Sequence, residues 1–420
     1  MTSTFSPDAA AALPGPQWLV DRRRAAAERF AGAELPSAEE EVWRYSRIGD
    51  LSLDRYRPST AEDAEGADHG RADMLLELTA GASAVVWTVA GQVTRVDLAD
   101  GSKVQIATGD DLTAAGPLGS VLGDTTDALG ALHDAFAAPI VVQVPAGVDA
   151  GQVVVVHTSG PDGVASFPRL VVQLGQAASA SVVEVHHGPD GVQSLALPVT
   201  ELAVGRDATL RHRTLQLLGD GAWQLGRLAS TVDQGGTLHA GTAAFGGDYA
   251  RTRIDTTLAG RGAHGEITAA YFGDGSQLLD FRTFQDHVAP DTTSNLLFKG
   301  ALGEKGASVY TGLIKIRPTA RGTQAFQTNR NIKLSDDAWA ESVPNLEIEN
   351  NEVQCSHAST VGPVDAEQLF YLESRGVPTG RAERLIVRGF FDEVLDGLAL
   401  GSLEDVVRAS LEAKLERTMP

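Results

Sequence analysis

The chain has 420 residues, with 34 Lys or Arg against 55 Asp or Glu, which gives a formal net charge of -21. Such acidity repels phosphate backbones and anionic lipids, so we expect neither nucleic acid nor a membrane as a partner. The single cysteine excludes an intramolecular disulfide, and no window approaches the roughly 20 consecutive apolar residues that span a bilayer. Since the first residues also lack the pattern of a secretory signal, the sequence predicts a cytoplasmic protein.

The first region, residues 1–138, is predicted to be mixed and largely helical. The segment PQWLVDRRRAAAERFAG is rich in Ala and repeats apolar residues at helical spacing. Ser37, followed three residues later by Glu40, resembles a capping box and predicts a second short helix over EEEVWRYSRI. The runs SAVVWTVAG and KVQIATG are typical of strands, and DALGALHDAFAA predicts a short helix that ends before Pro139.

The sequence from residue 139 to residue 361 predicts an all-β core. Short runs of Val, Ile, Leu and Thr, such as QVVVVHTSG and RLVVQLGQ, are broken by Gly, Asp and Asn. A turn with a small residue recurs near Gly175, Gly205 and Gly235, about 30 residues apart, which is typical of a solenoid whose coils cover one another's apolar faces. A β-sandwich would also contain short alternating strands, and it remains the alternative.

Residues 362–420 return to helical patterns. Asp365 is a candidate N-cap for AEQLFYLESR, and Gly376 is the predicted stop of that helix. The next segments, RAERLIVRGFFDEVLDGL and LEDVVRASLEAKL, each carry an apolar stripe at helical spacing. A stripe of this kind packs either on the rest of its own chain or on another subunit.

The sequence contains neither a phosphate-binding loop nor the nucleophile elbow of α/β-hydrolases. In GALGEKGASVY, Lys305 is followed by Gly and by a strand pattern, unlike a phosphate-binding loop, and there is no G-x-S-x-G elbow. His186 and His187 alternate across a strand, so we do not expect them to share a metal ion. Carboxylates such as Asp274 and Asp280 on a β-solenoid leave a carbohydrate-active enzyme as an alternative function.

The segment NNEVQCSHASTVG holds the only cysteine, Cys355, and a histidine two positions later, His357. In a strand these two side chains project from the same face, and both suit zinc, iron or an iron–sulfur cluster. A closed site takes about four protein ligands, however, and the chain has no second cysteine. Either the pair is a buried thiol beside a hydrogen-bonded histidine, or its missing ligands come from another chain at a subunit interface.

The C-terminal segment NNEVQCSHASTVGPVDAEQLFYLESRGV, continuing into RAERLIVRGFFDEVL, resembles the signature of the SufB/SufD family. This family takes part in iron–sulfur cluster assembly, and the segment is more similar to SufD members than to SufB members. Four other segments agree in the family's order: EEEVWRYSRIGDL, LGALHDAFAAPIVVQVPAGV, HVAPDTTSNLLFKGAL and NIKLSDDAWAESVPNLEIENNEV. The resemblance therefore covers nearly the whole chain.

The resemblance implies a mainly β fold: a right-handed parallel β-helix over 139–361, flanked by helical regions at 1–138 and 362–420. In the family, SufD is a non-catalytic scaffold that pairs with SufB through the β-helices and binds the ATPase SufC through its C-terminal helical region. ATP hydrolysis is then expected in SufC and not in this chain. The candidate SufC-docking residues are Leu385, Phe390, Phe391 and Val394.

The resemblance also implies that iron or an iron–sulfur cluster is held transiently at the SufB interface. The histidine of the family motif corresponds to His357 and its cysteine to Cys355, with the remaining ligands supplied by SufB. A flavin has been associated with such complexes, but no flavin fingerprint is present here. A homodimer in the absence of partners, and a purely structural adaptor in which Cys355 and His357 are inert, remain alternatives.

Overall fold

The computed structural model describes residues 4–64, 72–113, 116–123, 127–398 and 400–419, with the main chain alone for residues 72, 73 and 402. The helices are α1 (Pro7–Ala11), α2 (Gln17–Ala31), α3 (Ala72–Thr79), α4 (Ala128–Phe136), α5 (Ala366–Ser374), α6 (Thr379–Leu398) and α7 (Glu404–Thr418). Within the described ranges, no helix combines the length and the apolar character that crossing a bilayer requires.

The strands form two sheets. The first sheet contains β1 (Arg57–Pro58), β4 (Gln105–Thr108), β5 (Ala138–Val144), β7 (Val164–Ser166), β8 (Pro168–Leu174), β10 (Leu195–Ala196), β11 (Val199–Val204), β13 (Trp223–Val232), β15 (Tyr249–Leu258), β17 (Leu278–His287), β19 (Ala307–Ile316) and β21 (Trp339–Ile348). The second sheet contains β2 (Ala84–Val89), β3 (Gln92–Leu98), β6 (Asp149–Thr158), β9 (Ser179–His187), β12 (Thr209–Leu217), β14 (Thr237–Ala244), β16 (His264–Gly273), β18 (Thr293–Leu302), β20 (Gln324–Lys333) and β22 (Gln354–Pro363).

The long strands alternate between the two sheets, and each pairs in parallel with the strand one coil before it and one coil after it. Leu278 lies opposite Ala307, and Ala307 lies opposite Trp339, so one coil takes about 30 residues. The chain is thus mainly β, with a parallel β-solenoid of about 8 turns and helices at both ends. The predicted parallel β-helix is confirmed, and the β-sandwich alternative is wrong.

The turns between the sheets explain the recurring small residues. A Cβ atom on Gly205 would lie 2.5 Å from the main-chain oxygen of Leu174 in the previous coil, so only glycine fits there. Two residues later, Asp207 adopts a left-handed φ of 55°. Other coils have a left-handed residue at the corresponding turn, namely Ala177, Gly235, Gly262, Asp291 and Gly322.

Alternate residues of each strand fill the interior between the sheets, where Val153, Val182 and Leu210 are fully buried on neighbouring strands. The opposite face of the second sheet packs against α6 and α7, and the outer face of the first sheet packs against α1, α2 and α4. Burial of each large apolar side chain stabilises such a fold by about 1.5–3 kcal/mol. The two helical regions therefore cover opposite faces of one β-helix.

The two ends of the β-helix differ in the length, charge and pairing of their outermost strands. At the N-terminal end, β3 and the four-residue β4 pair antiparallel with their neighbours, and β3 carries an ion pair between Arg95 and Asp97. Short, charged strands of this kind discourage further pairing. At the other end, β21 and β22 are each ten residues long, and neither has a strand on its outer side within the described ranges. We call this second end the open end.

One N-terminal prediction is wrong. The main-chain N–H of Ser37 donates to Glu40 Oε1 at 3.0 Å, which is half of the expected capping box, but only a 3₁₀ turn forms over Glu41–Trp43. Tyr45 has a φ of 66°, which an α-helix cannot contain, and the Trp43 ring lies 4.2 Å from the guanidinium carbon of Arg251. Contact with the β-helix therefore overrides the local helical preference.

Candidate functional site

Cys355 and His357 lie on β22, the outermost strand of the second sheet. This strand pairs only with β20, where Cys355 is opposite Ala325 and His357 is opposite Gln327. Main-chain pairing on one side holds the two side chains in register. The other side of the strand is free among the described residues.

Both side chains face the interior at the open end. Cys355 contacts the apolar cluster that contains Ile314 and Ala325, so it points between the sheets. Ser359, two residues beyond His357, donates a hydrogen bond from Oγ to Ser342 Oγ on β21 at 2.7 Å. Because alternate residues share a face, His357 lies between these two inward-pointing positions. The pair therefore lies at the mouth of the β-helix.

The two residues differ in exposure. Cys355 is half-buried, and burial raises the pKa of its thiol, so the protonated form dominates at neutral pH. His357 is exposed. Since the thiolate is the form that binds metals, Cys355 needs a metal ion or a positive group nearby before it can act as a ligand.

Gln327, the cross-strand neighbour of His357, is buried, yet neither its side-chain oxygen nor its nitrogen has a hydrogen-bond partner among the described residues. An unsatisfied buried amide costs about 1–3 kcal/mol for each group. Such an amide indicates a position where a further polar group belongs. It lies directly beside the candidate ligand.

Cys355 and His357 do not form a complete metal site by themselves. In the part of the chain that the structure describes, the only group of three or more His, Cys, Asp or Glu ligand atoms within 4.8 Å of one another is His157, Glu184 and His186. A closed site takes about four protein ligands. The donor set at the open end is therefore incomplete within the described residues.

The open end also exposes large apolar side chains. They are Phe326 on β20, Trp339 and Ile348 on β21, and Val361 on β22. Exposed large apolar side chains gathered at one end of a fold are typical of protein–protein contact.

The candidate docking residues on α6 fall into two groups. Phe391 and Val394 are fully buried against the second sheet, whereas Leu385 is 42% exposed and Phe390 is partly buried. The sequence interpretation missed two more exposed side chains on α5, Phe370 and Tyr371, of which Phe370 is 72% exposed. The LFY run within AEQLFYLESR was the available signal, because α5 buries none of its residues.

The helical boundaries of this region follow the predictions closely. Asp365 caps α5, accepting hydrogen bonds from the main-chain N–H groups of Glu367 and Gln368 at 3.0 and 2.9 Å. Gly376 follows with a φ of 87°, as expected for a helix stop. The Asp365 cap and the Gly376 stop are both confirmed.

The sequence interpretation also missed the buried group of His157, Glu184 and His186. His186 belongs to this group, whereas its neighbour His187 is not among the three residues. His157 on the neighbouring strand β6 lies directly opposite His186. The spacing of His157 and His186 by one coil was the signal, and it is meaningful only once the register of the coils is known.

The comparisons with known proteins agree on one family. The family described as "SUF system FeS cluster assembly, SufBD core domain" matches residues 156–390. The iron–sulfur cluster assembly SufBD family protein Rv1462 of Mycobacterium tuberculosis is 36% identical over 272 residues, which cover 63% of this chain and 68% of the relative.

Two relatives carry the name iron–sulfur cluster assembly protein SufD. The Escherichia coli protein is 27% identical over 244 residues, covering 58% of each chain. The Bacillus subtilis protein is 32% identical over 161 residues, covering 38% of this chain and 37% of the relative. With the parallel β-helix and a family match over more than half of its length, this chain belongs to the SufBD family of iron–sulfur cluster assembly proteins.

Proposed function

We propose that this chain is a non-catalytic scaffold subunit of a cytoplasmic Suf complex, in which it pairs with SufB and binds the ATPase SufC. The observation that carries the proposal is the incomplete pair Cys355 and His357 at the open end of the β-helix. We propose three functional regions: residues 1–138, the β-helix core 139–361, and the SufC-docking region 362–420.

The open end is the surface for SufB. The ten-residue strands β21 and β22 offer main-chain N–H and C=O groups on their outer sides, which favours pairing with strands of another β-helix. The exposed apolar side chains Ile348 on β21 and Val361 on β22 would be buried by the same contact. Since SufD-named relatives share this family, a SufB β-helix is the partner we assign.

The joint site would bind iron or a nascent iron–sulfur cluster as cargo. Neutral His357 offers a ring nitrogen to iron, and SufB supplies thiolate. Cys355 adds a sulfur ligand once a bound metal stabilises its thiolate. The unsatisfied amide of Gln327 is placed to hydrogen-bond the second ring nitrogen of His357 or a group of SufB.

SufC would dock on α5 and α6, which pack together and expose Phe370, Tyr371 and Leu385. The inner face of α6 is fixed on the second sheet, the sheet that ends in β22. ATP-driven closure of two SufC copies would therefore pull on a helix connected to the metal-binding strand and rearrange the SufB interface. In this arrangement SufC hydrolyses ATP and the scaffold does not.

The test is to express this chain with SufB and SufC and to replace His357 with Ala. We expect iron–sulfur absorbance and bound sulfide per complex to fall several-fold while the complex still elutes intact. His264→Ala, on the same sheet but far from the open end, is the matched control. Cys355→Ala run in parallel separates the contribution of the thiol from that of the imidazole.

If His357→Ala leaves the cluster yield unchanged in an intact complex, the chain is a structural adaptor and the metal role is wrong. If the wild-type chain does not co-purify with SufB at all, the pairing itself is contradicted.

A further inference from the structure

The starting observation is the charge balance of the buried acids. Seven Asp and Glu residues are buried among those the structure describes. Six of them form an ion pair with Arg or Lys, namely Asp63, Asp134, Glu201, Asp274, Asp280 and Asp286. Glu184 is the exception, because its ion-pair partners are all histidines.

The histidines converge on the Glu184 carboxylate from three neighbouring strands of the second sheet. His157 Nε2 on β6 lies 3.2 Å from Oε1, and His186 Nε2 on β9 lies 3.4 Å from the same oxygen. His212 Nε2 on β12 lies 3.1 Å from Oε2. Thr200, reaching across from the first sheet, donates its hydroxyl to Oε2 at 2.8 Å. The group therefore occupies the interior of the β-helix.

This interior site is fully buried and contains a single carboxylate. Glu184 has no Arg or Lys partner among the described residues. The groups around its carboxylate are the rings of His157, His186 and His212 and the hydroxyl of Thr200. An ionised carboxylate without a compensating cation costs several kcal/mol in a protein interior, so a positive charge belongs here.

We propose that His157 Nε2, His186 Nε2 and the Glu184 carboxylate bind one divalent first-row transition-metal ion inside the β-helix. Two imidazoles and one carboxylate suit zinc and ferrous iron. In a tetrahedral site with metal–nitrogen bonds of about 2.0–2.1 Å, neighbouring ligand atoms are about 3.3 Å apart. The separations from Glu184 Oε1 are 3.2 and 3.4 Å, and all three ligand atoms lie within 4.8 Å of one another.

The surroundings of the ligands support this assignment. His157 Nδ1 lies 2.8 Å from the hydroxyl of Thr88, so its N–H can donate to that oxygen and leave Nε2 free for a metal ion. Nδ1 of His212 is buried and has no hydrogen-bond partner among the described residues. The buried His212 imidazole therefore has a nitrogen left for a further polar group.

This site is separate from the pair at the open end. Six strand spacings of the second sheet lie between β9 and β22, or roughly 30 Å. The ion is also enclosed by residues that are at least 96% buried, so it would enter as the chain folds and exchange slowly. We therefore assign this ion a structural role, in which it neutralises the Glu184 carboxylate and stabilises the first coils. It is distinct from the iron or iron–sulfur cluster proposed at the open end.

The chain provides a matched control. Glu266 on β16 also has two histidine partners, with His239 Nδ1 at 2.6 Å and His264 Nε2 at 3.3 Å, but this group is partly exposed on the outside of the sheet. Glu184→Gln and Glu266→Gln are the same chemical change at a buried and an exposed His–Glu–His group. They therefore distinguish the interior site from histidine-rich surface binding.

The experiment measures metal content in the full-length protein without a histidine tag, produced in medium supplemented with Zn²⁺ or with Co²⁺ as a spectroscopic probe. We expect about one ion per chain in the wild type and in Glu266→Gln, and at least a tenfold loss in Glu184→Gln, as for removal of a ligand. A cobalt absorption band typical of nitrogen and oxygen ligands should follow the same pattern.

Anomalous scattering at the zinc edge is recorded from crystals of the wild-type protein. This test therefore does not depend on whether the Glu184→Gln variant folds. A peak between His157, Glu184 and His186 supports the proposal. Absence of that peak in zinc-grown protein, or metal content that follows Glu266 and not Glu184, overturns it.

Discussion

Lys299 on β18 donates a hydrogen bond from Nζ to the main-chain oxygen of Phe390 on α6, at 2.7 Å. The same ammonium lies 2.5 Å from Glu393 Oε2 and 4.7 Å from the centre of the Phe390 ring. The Lys299 side chain is buried, so these contacts replace its hydration. A single cation thus connects the C-terminal helices to the second sheet, two strands before the strand that carries His357.

Replacing Lys299 with Met should loosen α6 from the β-helix. The aliphatic part of the side chain is kept, while a charged hydrogen bond worth about 1.5–3 kcal/mol is lost. Hydrogen exchange over residues 379–398 should become faster by about tenfold or more. Lys315→Met on β19, which removes an ion pair with Glu347 on β21, is the control and should leave that exchange unchanged.

Introducing a charge at the open end should weaken pairing with SufB. Val361→Lys places an ammonium on the outermost strand, where the proposed contact would bury it, and we expect the Kd to rise about tenfold or more. Val96→Lys makes the same change on β3, at the opposite end of the same sheet, and should have no effect. Equal binding by both variants, measured by calorimetry with SufB, would remove the open end from the interface.

Phe370→Asp should reduce SufC binding without disturbing the fold, because this ring is 72% exposed. Aromatic anchors at interfaces commonly contribute 2 kcal/mol or more, so a loss of affinity of about thirtyfold is expected. Leu98→Asp on β3, also an exposed apolar residue, is the control. If both variants bind SufC as tightly as the wild type and melt normally, the α5 surface is not the docking site.

Acid should destabilise the β-helix through its buried histidines. Burial lowers the pKa of His133 and of His287 to about 4. Because the folded state favours the neutral ring, each histidine stabilises the protein fully above pH 6.5, and that contribution is lost as the pH falls towards 4. The loss is about 3 kcal/mol per histidine.

The measurement is the denaturation midpoint at pH 7.5, 5.5 and 4.5. His287 hydrogen-bonds Thr292 through Nδ1 at 2.8 Å and Ser294 through Nε2 at 2.9 Å, so His287→Gln should destabilise the protein at pH 7.5. The difference from wild type should shrink at pH 4.5, because the wild-type histidine is protonated in the unfolded chain at that pH and its contribution to stability is mostly lost. A constant difference across this range would contradict the burial argument.

The architecture could be predicted from the sequence because its signals are local and periodic. The glycine near position 205 is required by close contact between coils, and the contact repeats with every coil. The Asp365 cap and the Gly376 stop involve residues only a few positions apart. Patterns of this type can be recognised in a single sequence because each depends on residues within one turn or one coil.

The features that could not be predicted depend on contacts between distant segments. The short helix expected after Ser37 is replaced by a 3₁₀ turn, where Trp43 meets Arg251 from the β-helix. His157, Glu184 and His212 come together only through the register of three strands. Burial of Phe391 beside the partly exposed Phe390 likewise depends on where α6 lies on the sheet.

The difference between the two ends of the β-helix limits how many copies can join. A β-helix that pairs with a neighbour through one end only cannot grow into a filament, because the first contact occupies the only pairing end of each subunit. Propagation stops at two. For a molecule built from stacked, hydrogen-bonded strands, this asymmetry of the tips is a safeguard against fibre formation.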